Sequence, residues 1–214
     1  MRQISLADKL IMLADNSLKT LAGGYQTSNR VKPASQSGQQ TEELTAEQAK
    51  HSAGLMRINH CGEVCAQALY QGQALTARLP EVRDKMEQAA IEENDHLDWC
   101  AERLQQLDSR VSLLNPLWYL GSFSIGAVAG AIGDKWSLGF VAETEHQVVR
   151  HLDDHLQKLP EKDSQSRAIL MQMREDELQH ATNAIAAGGA ELPGPVKGVM
   201  QLMSKVMTST VYYI

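Results

Sequence analysis

The sequence has few cysteines, few aromatic residues and no excess of positive charge. Its three cysteines, Cys61, Cys65 and Cys100, form no Cys-x-x-Cys pair, which excludes a zinc ribbon or a thioredoxin-type site and disfavours a disulfide-stapled secreted protein. Lysine and arginine number 20 against 26 acidic residues, so the formal net charge is −6. Because binding to phosphates requires a cationic surface, this balance argues against a nucleic-acid partner. A Gly-x-Gly-x-x-Gly fingerprint for a dinucleotide is also absent from the sequence.

One long segment, residues 111–133, lacks charge altogether over 23 positions. That length is enough to span a bilayer, which takes ~20 residues, but Pro116, Gly121, Gly126 and Gly130 interrupt the segment. At the amino terminus the longest apolar run covers residues 10–13, which is shorter than the ~7–15 apolar residues of a signal peptide. Its apolar spacing predicts a short amphipathic helix instead.

The chain from residue 45 onwards is predicted to be helical, because no segment combines β-branched residues with a two-residue alternation. Thr45 to Gln48 resembles a capping box, Pro80 suits a first helical position, and Gly188 suits a helix end. Four long helices, A to D, are expected at about 45–77, 80–107, 135–158 and 163–187. The charge-free segment lies between helices B and C, which predicts an all-α, ferritin-like four-helix bundle with a long hydrophobic B–C crossover.

Two matching motifs lie on helices B and D. Glu93 and His96 form one Glu-x-x-His motif, and Glu177 and His180 form the other. Residues three apart share one face of a helix, so each pair can present a carboxylate and an imidazole to one point. A single pair of this kind is weak support, since acids and histidines are common on solvated helix faces.

The order of further glutamates strengthens this interpretation. Glu63 on helix A precedes Glu93 by 30 residues, and Glu145 on helix C precedes Glu177 by 32. One glutamate from each of two helices and a Glu-x-x-His motif from each of the other two is the ferritin-like di-metal arrangement. Four carboxylates carry a charge of −4, which two ferrous ions would balance, and mixed carboxylate and imidazole ligands suit iron or manganese.

Spacing alone leaves alternatives open for the ligands. Glu92 and Asp176 lie four residues before His96 and His180, so either could replace its neighbouring glutamate. Glu143 could compete with Glu145 in the same way.

From about residue 56 to the carboxyl terminus, the sequence resembles the demethoxyubiquinone hydroxylases, the di-iron monooxygenases of ubiquinone biosynthesis. Residues 57–63 (RINHCGE) are similar to the family's R-x-N/D-H-x-G-E pattern, and residues 70–73 (YQGQ) to its Y-x-G-Q pattern. Further similar pieces are residues 92–96, 116–118, 145 with 151, and 176–180. The resemblance implies six metal ligands and selects them over their neighbours: Glu63, Glu93, His96, Glu145, Glu177 and His180. The chain has Gln-His-Ala at 179–181 where members often have Glu-His-His, which changes positions beside a ligand.

The resemblance implies a reaction in which O₂ hydroxylates the ring of a polyprenyl demethoxyubiquinol at two iron ions per chain. One oxygen atom enters the ring and the other leaves as water, with electrons from a reduced pyridine nucleotide or from the quinol itself. Tyr70, seven residues after Glu63, shares its helix face and is expected either to hydrogen-bond a ligand, to relay an electron or simply to pack in the core. His151 is expected to orient a ligand carboxylate or to be a structural histidine.

A metal site shared by helices B and C excludes a single membrane crossing by residues 111–133, since a crossing would separate the two helices. The segment is instead expected to dip into one leaflet or to form a wall for the prenyl tail, or, alternatively, to be buried in the core or in a dimer contact. Residues 196–214 contain no acid and have apolar residues at helical spacing, which suits a helix on a membrane surface or one docked on the core. We therefore expect a peripheral membrane protein on the cytoplasmic face of a bacterial inner membrane, or on the equivalent organelle membrane.

The expected organisation is one ferritin-like di-iron domain over residues 1–214. Its parts are an N-terminal helix (1–24), a flexible linker (25–44), the bundle (45–190) and a C-terminal membrane-facing helix (191–214). The expected partners are a polyprenyl quinol, O₂ and a membrane surface, with ubiquinone-biosynthesis proteins and a second copy of the chain as further candidates. The rival functions are an iron-oxidising storage protein, a peroxide-scavenging or tRNA-modifying di-iron enzyme, and a non-catalytic membrane-associated scaffold for lipid biosynthesis. Storage predicts a soluble shell without the charge-free crossover, whereas a scaffold predicts no iron.

Overall fold

The structure is a computed structural model that describes residues 6–24, 26–28, 30–33 and 43–214. Its long elements are all helices, and no strand occurs within those ranges. They are α1 (Leu6–Ala22), α2 (Ala46–Thr76), α3 (Pro80–Gln106), α4 (Asn115–Ile132), α5 (Asp134–Lys158), α6 (Ser164–Ala186) and α7 (Gly194–Val211). The first five residues of the predicted N-terminal helix and residues 34–42 of the predicted linker lie outside the described ranges.

Helices α2, α3, α5 and α6 form the bundle and correspond to the predicted helices A to D within one or two residues at each end. The predicted capping box is present, since the Gln48 amide donates to Thr45 Oγ1 at 3.2 Å and the Thr45 amide donates to Gln48 Oε1 at 3.0 Å. At the start of α6, the Ser166 amide donates to Asp163 Oδ1 at 3.0 Å. The all-α, ferritin-like prediction is confirmed.

The bundle has an apolar cluster on either side of its middle. The first cluster includes Met56, Leu104, Leu152 and Met173, one residue from each bundle helix. The second cluster is built around smaller residues and includes Tyr70, Met86, Leu138 and Ala184, again one from each helix. Along every helix the predicted metal ligands fall between these two sets, so apolar packing encloses the polar centre from both ends.

The predicted B–C crossover is the single helix α4, and two of its glycines, Gly126 and Gly130, are packing positions. A Cβ atom at Gly126 would overlap the carbonyl oxygen of Leu69 on α2, and one at Gly130 would overlap the Thr76 hydroxyl. Gly72 on α2 likewise lies against the backbone of α4. The small residues thus allow two helix backbones to approach closely. In the part of the chain that the structure describes, no helix is both long and apolar enough to cross a membrane.

The terminal helices dock on this framework. On α1, the Ser17 hydroxyl lies 2.9 Å from the Tyr119 hydroxyl of α4. The end of α7 is held against α2, where Arg57 Nη1 donates to the carbonyl of Tyr212 at 2.6 Å and the Tyr212 ring lies over Gly54. Much of α7 nevertheless leaves large apolar side chains exposed.

Part of the predicted linker is docked on the bundle as well. We call its described residues, 26–28 and 30–33, the N-terminal arm. Asn94 Nδ2 donates to the carbonyl of Gln26 at 2.9 Å, and the Ser28 amide donates to Asp95 Oδ1 at 2.8 Å. Composition alone predicted a flexible segment here, because polar residues without periodicity give no sign of an ion-paired contact with another helix.

Candidate metal centre

The six predicted ligands converge at the middle of the bundle, one or two from each of its helices. Five of them are at most 2% exposed, and His180 is 7% exposed. One ligand atom from each of Glu63, Glu93, His96 and Glu177 lies within 4.8 Å of the others. The side chains are Glu63 on α2, Glu93 and His96 on α3, Glu145 on α5, and Glu177 and His180 on α6.

The two histidines point the same nitrogen into the cluster. His96 Nδ1 lies 3.2 Å from Glu93, 3.0 Å from Glu177 and 3.6 Å from Glu63. His180 Nδ1 lies 3.2 Å from Glu93 and 3.3 Å from Glu177. Glu93 and Glu177 therefore each reach both histidines, and this places their carboxylates where they can be shared by two ions.

Glu145 completes the cluster from α5, with Tyr70 beside it. The Tyr70 hydroxyl donates to Glu145 Oε1, and both side chains are buried. Of the roles considered for Tyr70, the hydrogen bond to a predicted ligand is the one that this geometry supports. The position of Tyr70 beside the cluster follows from the sequence, because Tyr70 lies two turns after Glu63 on the same face of α2.

The alternative ligands that spacing alone leaves open take other positions. Asp176 Oδ2 lies 2.9 Å from His96 Nε2, and Glu92 Oε2 lies 2.7 Å from His180 Nε2. Each of these acids is thus behind a histidine of the opposite helix, where it can orient the ring rather than join the cluster. Glu143 instead accepts from Gln147 at 2.9 Å and from Arg150 at 3.1 Å.

His151 does not meet the expectation that it orients a ligand carboxylate. Its Nε2 lies 2.8 Å from the hydroxyl of Ser204 on α7. The reason is helical geometry: six residues after Glu145, at ~100° per residue, a side chain is turned by about a third of a revolution away from that glutamate. His151 therefore faces the junction of α5 and α7.

The charges of the cluster raise the pKa values of Glu63, Glu145 and His180. Burial and the negative charge of Glu93 raise the pKa of Glu63 well above its usual range. Burial and the charges of Glu177 and Glu93 do the same to Glu145. For His180, burial lowers the pKa, but Glu177 and Glu93 outweigh it and raise the pKa to about 12. The cluster therefore favours positive charge at its centre.

The residues fit divalent cations. Among the predicted ligands, three buried carboxylate oxygens have no hydrogen bond: Glu93 Oε1, Glu145 Oε2 and Glu177 Oε1. Buried polar atoms are normally satisfied, so such oxygens on three carboxylates of one cluster call for a cation. Oxygen and imidazole donors suit iron or manganese.

An apolar cavity of about 150 Å³ adjoins the centre between α2, α4, α5 and α7. Glu63 forms part of its wall on the side of the metal cluster, while Trp118, Phe140 and Met203 contribute large apolar surfaces and His151 a polar one. The sequence motifs point to the predicted ligands but not to this lining. Single apolar residues on four helices carry no spacing that marks them as one wall.

Comparison with known proteins gives one family and many relatives over the whole chain. A family model described as "Ubiquinone biosynthesis protein COQ7" matches residues 50–211. A protein of Azotobacter vinelandii is 61% identical over 213 residues, covering 100% of this chain and 98% of the relative. A protein of Acinetobacter baylyi is 58% identical over 214 residues, covering 100% of both chains. Both relatives are named 3-demethoxyubiquinol 3-hydroxylase.

Among solved structures, a similar chain is the bacterioferritin-related protein of Bacteroides fragilis, described as a dodecameric thioferritin. It aligns with a TM-score of 0.53 and 17% sequence identity over 65% of this chain and 86% of that chain. At this identity the likeness concerns the fold, and it agrees with the ferritin-like bundle of α2, α3, α5 and α6.

Proposed function

Because the chain belongs to the COQ7 family of ubiquinone biosynthesis proteins, we propose that it is a 3-demethoxyubiquinol 3-hydroxylase that uses O₂ and two iron ions. A hydroxylase function in ubiquinone biosynthesis rests on relatives of 55–61% identity along essentially the whole chain. The single observation that carries the metal part is the buried cluster of Glu63, Glu93, His96 and Glu177, whose ligand atoms lie within 4.8 Å of one another, with His180 Nδ1 3.2 Å from Glu93. Neither an iron-storage role nor a scaffold role accounts for the high identity to proteins that are named as hydroxylases.

In the proposal, the six side chains hold two irons. Glu63, His96, Glu145 and His180 would hold these ions together with Glu93 and Glu177, each of which lies near both histidines. When bound in the reduced state, the irons supply electrons and open coordination positions for O₂. In the overall reaction the quinol ring gains one oxygen atom as a hydroxyl group, and two further electrons and two protons reduce the other oxygen to water.

The protein's own contribution is to position these ligands and to keep water away from them. Tyr70 holds one oxygen of Glu145, so that the other oxygen is directed to the ion. Asp176 and Glu92 accept from the Nε2 atoms of the histidines and thereby leave each Nδ1 as the ligand atom. The apolar clusters on both sides exclude bulk water, which limits side reactions.

The apolar cavity is the proposed site of the quinol ring. It leads to Glu63, so a ring within it lies next to the metal centre rather than among solvent. Its polar wall residue His151 is fixed by Ser204 and can hydrogen-bond a ring oxygen. The prenyl tail would leave between α4 and α7, the helices that form the outer part of the cavity wall.

We further propose that the chain is a peripheral membrane protein, on the cytoplasmic face of a bacterial inner membrane or the equivalent organelle membrane. A polyprenyl quinol resides in the bilayer, so the mouth of the cavity must reach the interface. On the two helices bordering the cavity, large apolar side chains are exposed: Leu117, Leu120, Val128 and Ile132 on α4, and Val199, Leu202, Met203 and Val206 on α7. Such a surface suits contact with lipid.

The function is tested with the purified chain loaded with Fe(II), supplied with a reductant, a demethoxyubiquinol and ¹⁸O₂. The expected product is the hydroxylated quinol with one ¹⁸O atom in its ring, at two irons per chain. The Glu177→Gln variant serves as the matched control, because it keeps the size of a proposed shared ligand but loses its charge. Full turnover by metal-free protein, or a product without ¹⁸O, would refute the proposal.

A further inference from the structure

The N-terminal arm reaches the metal centre from the side remote from the cavity. Arg30 Nη1 donates to Asp176 Oδ2 at 2.8 Å, and Arg30 Nε donates to Asp95 Oδ2 at 2.7 Å. Asp176 Oδ2 is the same atom that lies 2.9 Å from His96 Nε2. A single carboxylate oxygen therefore joins the arm to a proposed ligand.

A second contact links Arg30 to the same histidine. The guanidinium lies 5.0 Å from the centre of the Trp99 ring, and the Trp99 ring lies 5.4 Å from that of His96. Arg30 thus covers Trp99 on its outer side while Trp99 packs against His96. Arginine is suited to this position, since its planar group can stack on an aromatic ring and bond two carboxylates at once.

The other histidine has no such support in the part of the chain that the structure describes. Glu92, the partner of His180 Nε2, is contacted by Gln88 at 3.0 Å, and no arginine or lysine pairs with it among the described residues. The two histidines thus differ in their outer surroundings, although their Glu-x-x-His motifs are equivalent.

We propose that Arg30 is a positioning residue for His96: it fixes Asp176 and Trp99 so that the imidazole presents Nδ1 to the metal centre. This inference rests on the proposed di-metal centre. Its physical basis is that hydrogen-bond partners of a ligating histidine set the ring orientation and the ligand nitrogen. The family match starts at residue 50. The contacts of Arg30 therefore connect a segment outside that match to the proposed metal centre.

The test is a Co(II) titration of metal-free full-length protein, with visible absorption as the signal and a competing chelator to set affinity. In Arg30→Gln we expect one of two Co(II) ions to bind about 10-fold more weakly, as for other outer partners of metal ligands, with altered absorption. Lys32→Gln is the matched control, because it removes a positive charge from the same arm, where Lys32 pairs with Asp98 at 2.8 Å and with Glu102. This control is expected to bind both ions like the wild type.

A double-mutant cycle with Asp176→Asn separates positioning from general stability. If Arg30 acts through Asp176, adding Arg30→Gln to Asp176→Asn weakens Co(II) binding no further. Fully additive losses, or an Arg30→Gln titration that matches the wild type, would overturn this role while leaving the two-ion centre in place. Wild-type protein that binds no Co(II) would overturn the centre itself, and the role of Arg30 with it.

Discussion

His180 Nε2 lies 2.7 Å from Glu92 Oε2, a contact that crosses from α6 to α3. The contact between His96 and Asp176 crosses the same pair of helices in the opposite direction at 2.9 Å. Each Glu-x-x-His motif therefore carries a predicted ligand pair on its own helix, and the acid just before its glutamate contacts the histidine of the other helix. The repeated motif thus provides both the predicted ligands and the acids that hydrogen-bond to the predicted histidine ligands.

This relationship predicts the effect of Glu92→Gln. The amide can still accept a hydrogen bond from His180 Nε2, but the charge that strengthens it is lost. We expect one Fe(II) ion to bind about 10-fold more weakly, as measured by iron retention against a chelator. The fold should be unaffected, because the Glu92 side chain is 40% exposed. Glu175→Gln, which removes the same charge from an exposed position on α6, should retain both ions; equal iron loss in the two variants would contradict the orienting role.

Glu177→Gln should remove most of the stabilisation that Fe(II) gives to the folded protein. Because one of four converging buried acids is lost, the metal-free variant should melt at or above the temperature of the metal-free wild type. In the wild type, Fe(II) at 100-fold above Kd should add ~2.7 kcal/mol of stability, and the variant should lose most of that gain. Calorimetry with and without Fe(II) measures both effects. A variant that keeps the full metal-dependent gain would show that Glu177 is not a ligand.

The sequence predicted the bundle, and it predicted that these side chains would lie on the inner faces of its helices, because both depend on helical spacing. Once helices A to D were placed, Glu63, Glu93, Glu145 and Glu177 had to share the inner faces of neighbouring helices. Spacing does not decide between Glu92 and Glu93, since both lie within one helical turn of His96, and only the family resemblance selects Glu93. In the structure the two side chains point in different directions. Glu93 faces the centre of the cluster, whereas Glu92 faces Nε2 of His180 on α6.

What could not be predicted lies in contacts between distant segments. The pairing of Arg30 with Asp176 joins residues 146 positions apart. No local pattern in a Ser- and Gln-rich stretch predicts this contact. In the sequence, Gly126 and Gly130 only interrupt the charge-free segment, whereas in the fold they lie against α2. Both outcomes depend on which surfaces meet, which periodicity along one segment does not specify.

Tyr70→Phe should slow hydroxylation without abolishing metal binding. The variant leaves Glu145 without the hydroxyl that holds it, and a hydrogen bond to a charged group contributes ~1.5–3 kcal/mol, so kcat should fall by about 10- to 100-fold. KM for the quinol should stay the same, since Tyr70 does not line the cavity. Tyr119→Phe is the control, because that hydroxyl contacts Ser17 and Gln71 away from the centre. An unchanged kcat in Tyr70→Phe would assign Tyr70 to core packing alone.

The buried His155 should make stability depend on pH. Burial is the main reason that its pKa is lowered to about 4, compared with ~6.5 in an unfolded chain. As the pH falls, the unfolded chain binds the proton first. The stabilisation is therefore complete above pH ~6.5 and is lost as the pH drops towards 4, by up to ~3 kcal/mol.

Urea unfolding of metal-free protein at pH 7.5 and pH 5 measures this dependence. His155→Gln can keep a hydrogen bond to Asn59, which lies 2.8 Å from His155 Nδ1, but has nothing to titrate, so its free energy of unfolding should change less between the two pH values. His146→Gln, at a half-buried position on α5, is expected to keep the wild-type difference. If His155→Gln keeps it as well, other groups account for the pH dependence.

The proposed membrane surface predicts a difference between two exposed apolar residues. Leu202 on α7 is 63% exposed and Met171 on α6 is 59% exposed, yet only α7 borders the cavity. Burying a leucine side chain in lipid contributes ~1.5–3 kcal/mol, so Leu202→Glu should lower partitioning onto phosphatidylcholine vesicles by at least about 10-fold, whereas Met171→Glu should leave it unchanged. Sedimentation with vesicles measures both. Equal partitioning of the two variants and the wild type would show that α7 does not face the bilayer, because a charge placed at a lipid contact cannot be free of cost.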